Sequence, residues 1–220
     1  MQLPFTVEQF FDVIRAYNAA VWPVQVLLIA LALAAVTLVV KPQRWSGVGV
    51  SLILAALWVW LGLAYHLAFF ARINPLAYAF AAISVAAAGV IFWHGVVLRD
   101  LQFRLVARPR VVVGLAFVVF ALIAYPAWST FSGHAYPALP TFGLPCPTTI
   151  FTIGMLAFAV PPYPRSPLIG PVLWCFVGAQ AAFLFGVYAD LGLIVAGLFG
   201  IVLLARSGGD NPPKKTAQLV

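Results

Sequence analysis

Seven long apolar runs, joined by links too short to fold on their own, decide what this chain can become. They cover roughly Trp22–Val40, Gly47–Phe70, Leu76–Leu98, Val111–Trp128, Phe142–Val160, Leu168–Val187 and Leu191–Ala205. A helix needs about 20 apolar residues to cross the hydrocarbon core of a bilayer, and each run is that long or nearly so. The last is short, so that helix begins before Asp190 or tilts little. Only 8% of the 220 residues are charged, where a soluble domain carries about a quarter, and a water-facing fold has no way to cover so much apolar surface. The expected fold is all-α: an integral membrane bundle of seven transmembrane helices in one domain, 1–206, followed by a disordered cytoplasmic tail, 207–220.

The basic residues orient that bundle. With the link after the first run on the cytoplasmic side, that side holds ten of the 12 basic residues: Lys41, Arg44, Arg99, Arg104, Arg108, Arg110, Arg165, Arg206, Lys214 and Lys215. The outside keeps Arg15 and Arg72. Short cytoplasmic loops collect Lys and Arg, so the N-terminus is expected outside and the C-terminus inside. An even number of crossings would break the alternation. The net charge of +7 fits this distribution and does not point to nucleic acid, because no basic patch alternates with aromatics on a polar domain. The lipid bilayer is the expected partner, and a homo-oligomer stays open.

Ahead of the first run, Met1 to Asn18 reads as an amphipathic helix. Thr6 and Gln9 have the spacing of a capping box, with Phe5 and Phe10 at the staple positions. Val7, Phe10, Phe11, Ile14 and Tyr17 share one face, and Glu8, Asp12 and Arg15 another. It is expected to lie on the membrane, with a lid over a site as the alternative. No basic start followed by an apolar run marks a cleavable leader. Runs six and seven carry small residues at every fourth position, Gly178, Ala182, Gly186 and Gly192, Ala196, Gly200. Such ridges let two helices approach closely.

Several chemistries are poorly supplied. His66 and His94 invite a haem between two helices, but they fall near opposite ends of their runs, roughly 20–25 Å apart in height. A retinal Schiff base needs a lysine inside the membrane, and the lysines are Lys41, Lys214 and Lys215. No carboxylate falls at a midplane, where proton and cation relays sit. Two cysteines make no disulfide framework.

The densest polar stretch is Thr130 to Gly154, TFSGHAYPALPTFGLPCPTTIFTIG. Four prolines stiffen it, and long structured connections are often functional. Pro147 suits a first helical turn, which makes Cys146 the expected cap of the fifth helix, at the positive end of its dipole where thiolate is favoured. The candidate ligand-binding residues on the outer side are His134, Tyr136, Cys146, Thr148, Thr149, His66, Arg72, Asn74 and Asp190. Cys146, His134 and His66 are also candidate ligands for a soft metal ion. A solvated outer surface would show much the same residues.

The segments LPFTVEQFFDV…YNAAVWP, YHLAFFARINP (Tyr65 to Pro75), WHGV (Trp93 to Val96) and HAYPALPTFGLPCPTTIFTIG through PPYPRSP resemble an uncharacterised family of bacterial multi-pass membrane proteins, domain of unknown function 6064. The resemblance spans nearly the whole chain and implies a seven-helix-like bacterial membrane protein; it implies no activity, ligand or catalytic residue. With the orientation read from the basic residues, the expected location is the cell inner membrane with a periplasmic N-terminus. Three readings then compete. The first is binding or transport of a small solute or ion at an outward-facing site. The faint likeness of Lys41-Pro-Gln-Arg-Trp-Ser to Pro161-Pro-Tyr-Pro-Arg-Ser is its weak hint of a repeat. The second is a membrane-embedded enzyme or redox protein using Cys146 and His134, although no motif such as Gly-x-Ser-x-Gly is present. The third is an accessory or sensing subunit.

Overall fold

The computed structural model describes residues 4–105 and 109–208. Most of the expected tail, with Lys214 and Lys215, lies outside the described residues, as does Arg108 in the link after the third run. Among the described residues the fold is helical, with isolated bridges in place of strands. Six helices are long and apolar enough to cross a membrane: α1 Val7–Val40, α2 Ser46–Arg72, α3 Ala77–Leu98, α4 Pro109–Phe131, α6 Ser166–Leu184 and α7 Tyr188–Ala205. Between α4 and α6 runs a shorter helix, α5, Pro145–Leu156.

The expected capping box closes the start of α1. The Thr6 hydroxyl accepts from Gln9 N at 3.2 Å, and Gln9 Oε1 accepts from Thr6 N at 2.8 Å. The body of the helix departs from the expectation. The surface helix and the first run are one helix of 34 residues, about 51 Å at 1.5 Å per residue. Its buried residues explain the continuity. Ile14, Tyr17, Val21, Leu28, Ala32 and Val39 fall at steps of three, four or seven, so a single stripe faces the bundle from end to end. The opposite face shows Trp22, Val26, Leu33 and Val40, each more than half exposed, as a face against acyl chains would.

We call the end carrying the start of α1 the upper end. Phe5 and Phe10 stack there against Phe70 of α2 and Phe185 just after α6, with ring centroids 4.2 to 6.4 Å apart. Such aromatic pairs contribute about 0.5–1.5 kcal/mol each beyond their area. The lower end is closed by polar contacts. Arg110 at the start of α4 donates to Ala159 O at 2.5 Å, and the Tyr163 hydroxyl donates to Leu203 O at 3.0 Å. The link after α3 folds inward: Leu101 and Phe103 are buried, and residues 102–104 pair with 158–160 through Arg104 N to Phe158 O and Val160 N to Gln102 O.

At the centre stands α5. Every residue in it but Cys146 is buried, although three of the twelve are threonines. A helix buried all round is sheathed by protein rather than lipid, and α4, α6 and α7 supply the sheath. At about 18 Å it spans only part of a bilayer, which is why six rather than seven helices meet the length required. Leu144, in extended conformation, is its N-cap, two positions earlier than Cys146. Gly114 of α4 and Gly154 of α5 cross backbone to backbone. A Cβ on either would sit 2.8 Å from the other's carbonyl oxygen. The expected close approach of the last two long helices is present as well. Gly178 packs on Leu193, Gly197 on Cys175 and Gly200 on Val172, whereas Gly192 turns to Phe120 and Ile150.

Candidate functional site

The connection from α4 to α5 is pinned to α1 by polar side chains within the apolar stripe. Asn18 Nδ2 donates to Pro137 O at 2.6 Å and Leu139 O at 2.8 Å. Its Oδ1 accepts from Gln25 Nε2 at 2.6 Å and from the Thr141 hydroxyl at 2.9 Å. The Tyr17 hydroxyl donates to Gly143 O at 3.0 Å and accepts from Trp60 Nε1 at 2.7 Å. Gly143 has φ +98°, and a Cβ there would strike Leu28 at 2.5 Å. Only glycine lets the backbone take that shape against α1.

Pinned in this way, the start of α5 forms one wall of a cavity of about 440 Å³ at the upper end, within the range of about 300–1,000 Å³ typical of ligand pockets. Apolar groups make most of the lining, with the rings of Phe5, Phe10, Phe70, Phe80, Trp174 and Phe185 among them. The polar groups are few. His66 belongs to a π-helical turn, Leu61–Leu67, inside α2; such turns often mark functional positions because the extra residue re-aims its neighbours. His66 is 1% exposed, and both ring nitrogens lack a hydrogen-bond partner among the described residues. Its ring lies 4.9 Å from that of Trp174, whose Nε1 is also without a partner among them. On the far wall the Tyr125 hydroxyl donates to Asp190 Oδ1 at 2.5 Å, and Cys146 lines the cavity with them. Cys146 lies deep in the fold yet keeps some exposure, because its surface opens into the cavity.

The cavity therefore gathers His66, Asn74, Cys146 and Asp190 from the sequence-derived candidates. Asn74 is turned partly inward on its own chain, with Oδ1 accepting from Leu76 N at 3.0 Å. The other candidates lie elsewhere. His134 stacks on Phe11 at 4.6 Å, and the Tyr136 hydroxyl donates to Asn18 O at 3.2 Å. Thr148 Oγ1 accepts from Gly143 N, and Thr149 is buried with its hydroxyl unpartnered among the described residues. Arg72 lies over the Phe69 ring, in a shallow depression shared with Asp12. Among the described residues no three His, Cys, Asp or Glu side chains are placed to share a metal ion, so His134 is not joined to Cys146 and His66 in one site.

Sequence reasoning missed Tyr125 and Trp174, which sit inside apolar runs and read as core, and it missed Asn18 and Gln25. The last pair carried a usable signal: two amides seven residues apart share one helix face, and amides on a buried face need partners.

The sequence model of a family of unknown function, DUF6064, matches residues 7–211. No curated protein and no solved structure matches the chain.

Proposed function

The chain belongs to that family, which brings no activity with it, and we propose from its own geometry that it is a membrane protein binding a small, largely apolar molecule with one hydrogen-bonding group. The bundle sits in a bacterial inner membrane with the upper end outside. The chain passes through the bundle seven times, with α5 as the protein-sheathed pass. The ligand enters at the upper end and seats its polar group against His66 and Trp174.

One observation carries the reading. His66 is 1% exposed with both ring nitrogens unpartnered among the described residues, at the wall of a roomy aromatic cavity. A buried polar group left unsatisfied costs about 1–3 kcal/mol, and such orphans ask for a partner. Water is a poor one here, since an apolar cavity offers it few of the two to four hydrogen bonds it needs. An apolar molecule with a polar head satisfies both the rings and the imidazole. This narrows the small solute or ion expected from sequence to the apolar end of that range.

Mass spectrometry of the gently purified protein tests it. Wild type is expected to carry a small organic molecule that His66→Phe loses. The same substitution removes an unpaired polar group from an apolar site, so the empty protein should melt no lower than wild type. Wild type purified without any such molecule would sink the reading. So would retention of the molecule by both His66→Phe and Trp174→Phe.

A further inference from the structure

At the lower end, away from the cavity, three polar side chains meet in line. His94 lies in a second π-helical turn, Trp93–Leu98, at the end of α3. Its Nδ1 faces the Asp100 carboxylate, 3.1 Å from one oxygen and 3.0 Å from the other. Its Nε2 lies 2.8 Å from the Ser166 hydroxyl. Asp100 follows α3 directly: Arg99 takes a left-handed conformation, φ +57°, that turns the chain back so Asp100 N donates to His94 O at 3.1 Å. Ser166 opens α6, with Pro167 next to it in the first turn.

The order of contacts sets the proton positions. A carboxylate only accepts, so it holds the ring hydrogen on Nδ1. Nε2 is then an acceptor, and the serine hydroxyl donates to it. This is the arrangement in which an imidazole serves as general base toward a hydroxyl nucleophile while a carboxylate fixes its tautomer and orientation. Geometry of this kind is recognised by roles rather than by chain position or fold. The His94 side chain is 8% exposed and that of Asp100 21%, which shields the relay from bulk water, and Ser166 keeps partial exposure. It lies in the first turn of the 19-residue α6, at the positive end of the helix dipole, which favours negative charge nearby.

We propose that Ser166, His94 and Asp100 form a nucleophilic acyl-transfer site at the cytoplasmic rim, acting on acyl esters or thioesters of amphipathic molecules. Ser166 Oγ attacks the acyl carbon as its proton passes to His94 Nε2. The alcohol or thiol leaves with that proton. Water then attacks the acyl-serine, giving one proton to His94, which returns it to Ser166 as the acid departs. Ester and water become acid and alcohol, and no redox partner is required. The surroundings select the substrate class. Val97 and Leu98 on α3 and Ile169 on α6 are exposed apolar residues flanking the site, and Arg99, next to Asp100, is exposed. They fit an acyl chain lying in the lipid and an acidic head in the water. Asp100 is a positioning residue, because it acts through His94.

A fluorophosphonate probe, which labels activated serines, tests the site on the full-length protein in detergent. Wild type is expected to label on one serine, with the adduct on the peptide carrying Ser166. Ser166→Ala should abolish the label, and His94→Gln should slow it by about 10²-fold or more. Asp100→Asn should slow labelling while leaving the elution profile of the folded protein unchanged, an outcome that a purely structural contact would not produce. Unlabelled wild type overturns the proposal without reference to any variant's folding. Labelling that persists in Ser166→Ala, or rates unchanged in both His94→Gln and Asp100→Asn, overturns it equally. The upper cavity plays no part in these outcomes, so either reading can fail alone.

Discussion

Asn18 shows how much a single buried amide can hold. It bonds two carbonyls of the α4–α5 connection and receives two donors, from Gln25 and Thr141. Replacing it with Leu leaves the Pro137 and Leu139 carbonyls without their partner, at about 1–3 kcal/mol each before relaxation, while Gln25 and Thr141 keep their bond to each other. Asn18→Leu is therefore expected to lower the melting temperature by on the order of 10 °C and to expose the 132–144 connection to protease. Trp22→Leu, on the lipid-facing side of the same helix, should change neither. A melt unchanged in Asn18→Leu would show that the connection holds itself. The sequence marked residues 130–154 as special through their prolines and threonines, and of the candidates in that stretch Cys146 reaches the cavity. His134, Tyr136 and Thr148 serve the packing of the connection, because hydrogen-bond partners are set by which helix lies opposite, and a single chain does not print that.

Element boundaries were legible where apolar periodicity was long and were lost where burial, not hydropathy, decides. The stretch expected as a fifth spanning helix is just as apolar as its neighbours at its lower end, yet only residues 145–156 are helical. Prolines fix its start, and the inward-folded chain at 102–104 pairs with its far end. The surface helix expected before α1 merged with it because the same buried stripe continues through both. At the crossing of α4 and α5 the glycines set the distance. Gly154→Ala is expected to cost several kcal/mol, because the added methyl would meet the Gly114 carbonyl at 2.8 Å and backbone cannot yield as a side chain can. Gly89→Ala, where nothing lies within 4 Å, should be neutral or mildly stabilising, since alanine favours a helix over glycine by about 1 kcal/mol. Comparing the two melts checks the crossing. Equal melts would mean that α4 and α5 are not in backbone contact.

At the scale of the whole molecule, the ends of successive helices alternate between upper and lower, and the basic residues collect at the lower end. That pairing yields a direct test of orientation. In a background with Cys146→Ser and Cys175→Ala, an impermeant maleimide added to intact cells should label Ser132→Cys, at the upper end, and not Gln43→Cys, at the lower. The reverse pattern would invert the bundle and move the cavity to the cytoplasmic side. The alternation was legible from charge alone. The cavity was not, because it is bounded by several separate helices whose neighbours only the folded chain reveals.

The sheathing of α5 also imposes a schedule on biogenesis. Two of its three wrapping helices, α6 and α7, lie downstream of it in the chain. When the ribosome has finished α5, its three threonines and its start have α4, the Trp58 indole of α2 and the connection pinned to α1 beside them, but neither α6 nor α7. It is too short to settle across the lipid alone, and its final environment does not yet exist. The earlier helices can leave the insertion machinery as they are made; α5 cannot be released into its final place until synthesis has passed Leu184 and then Ala205. The centre of the bundle is thus the last part of the protein to be built.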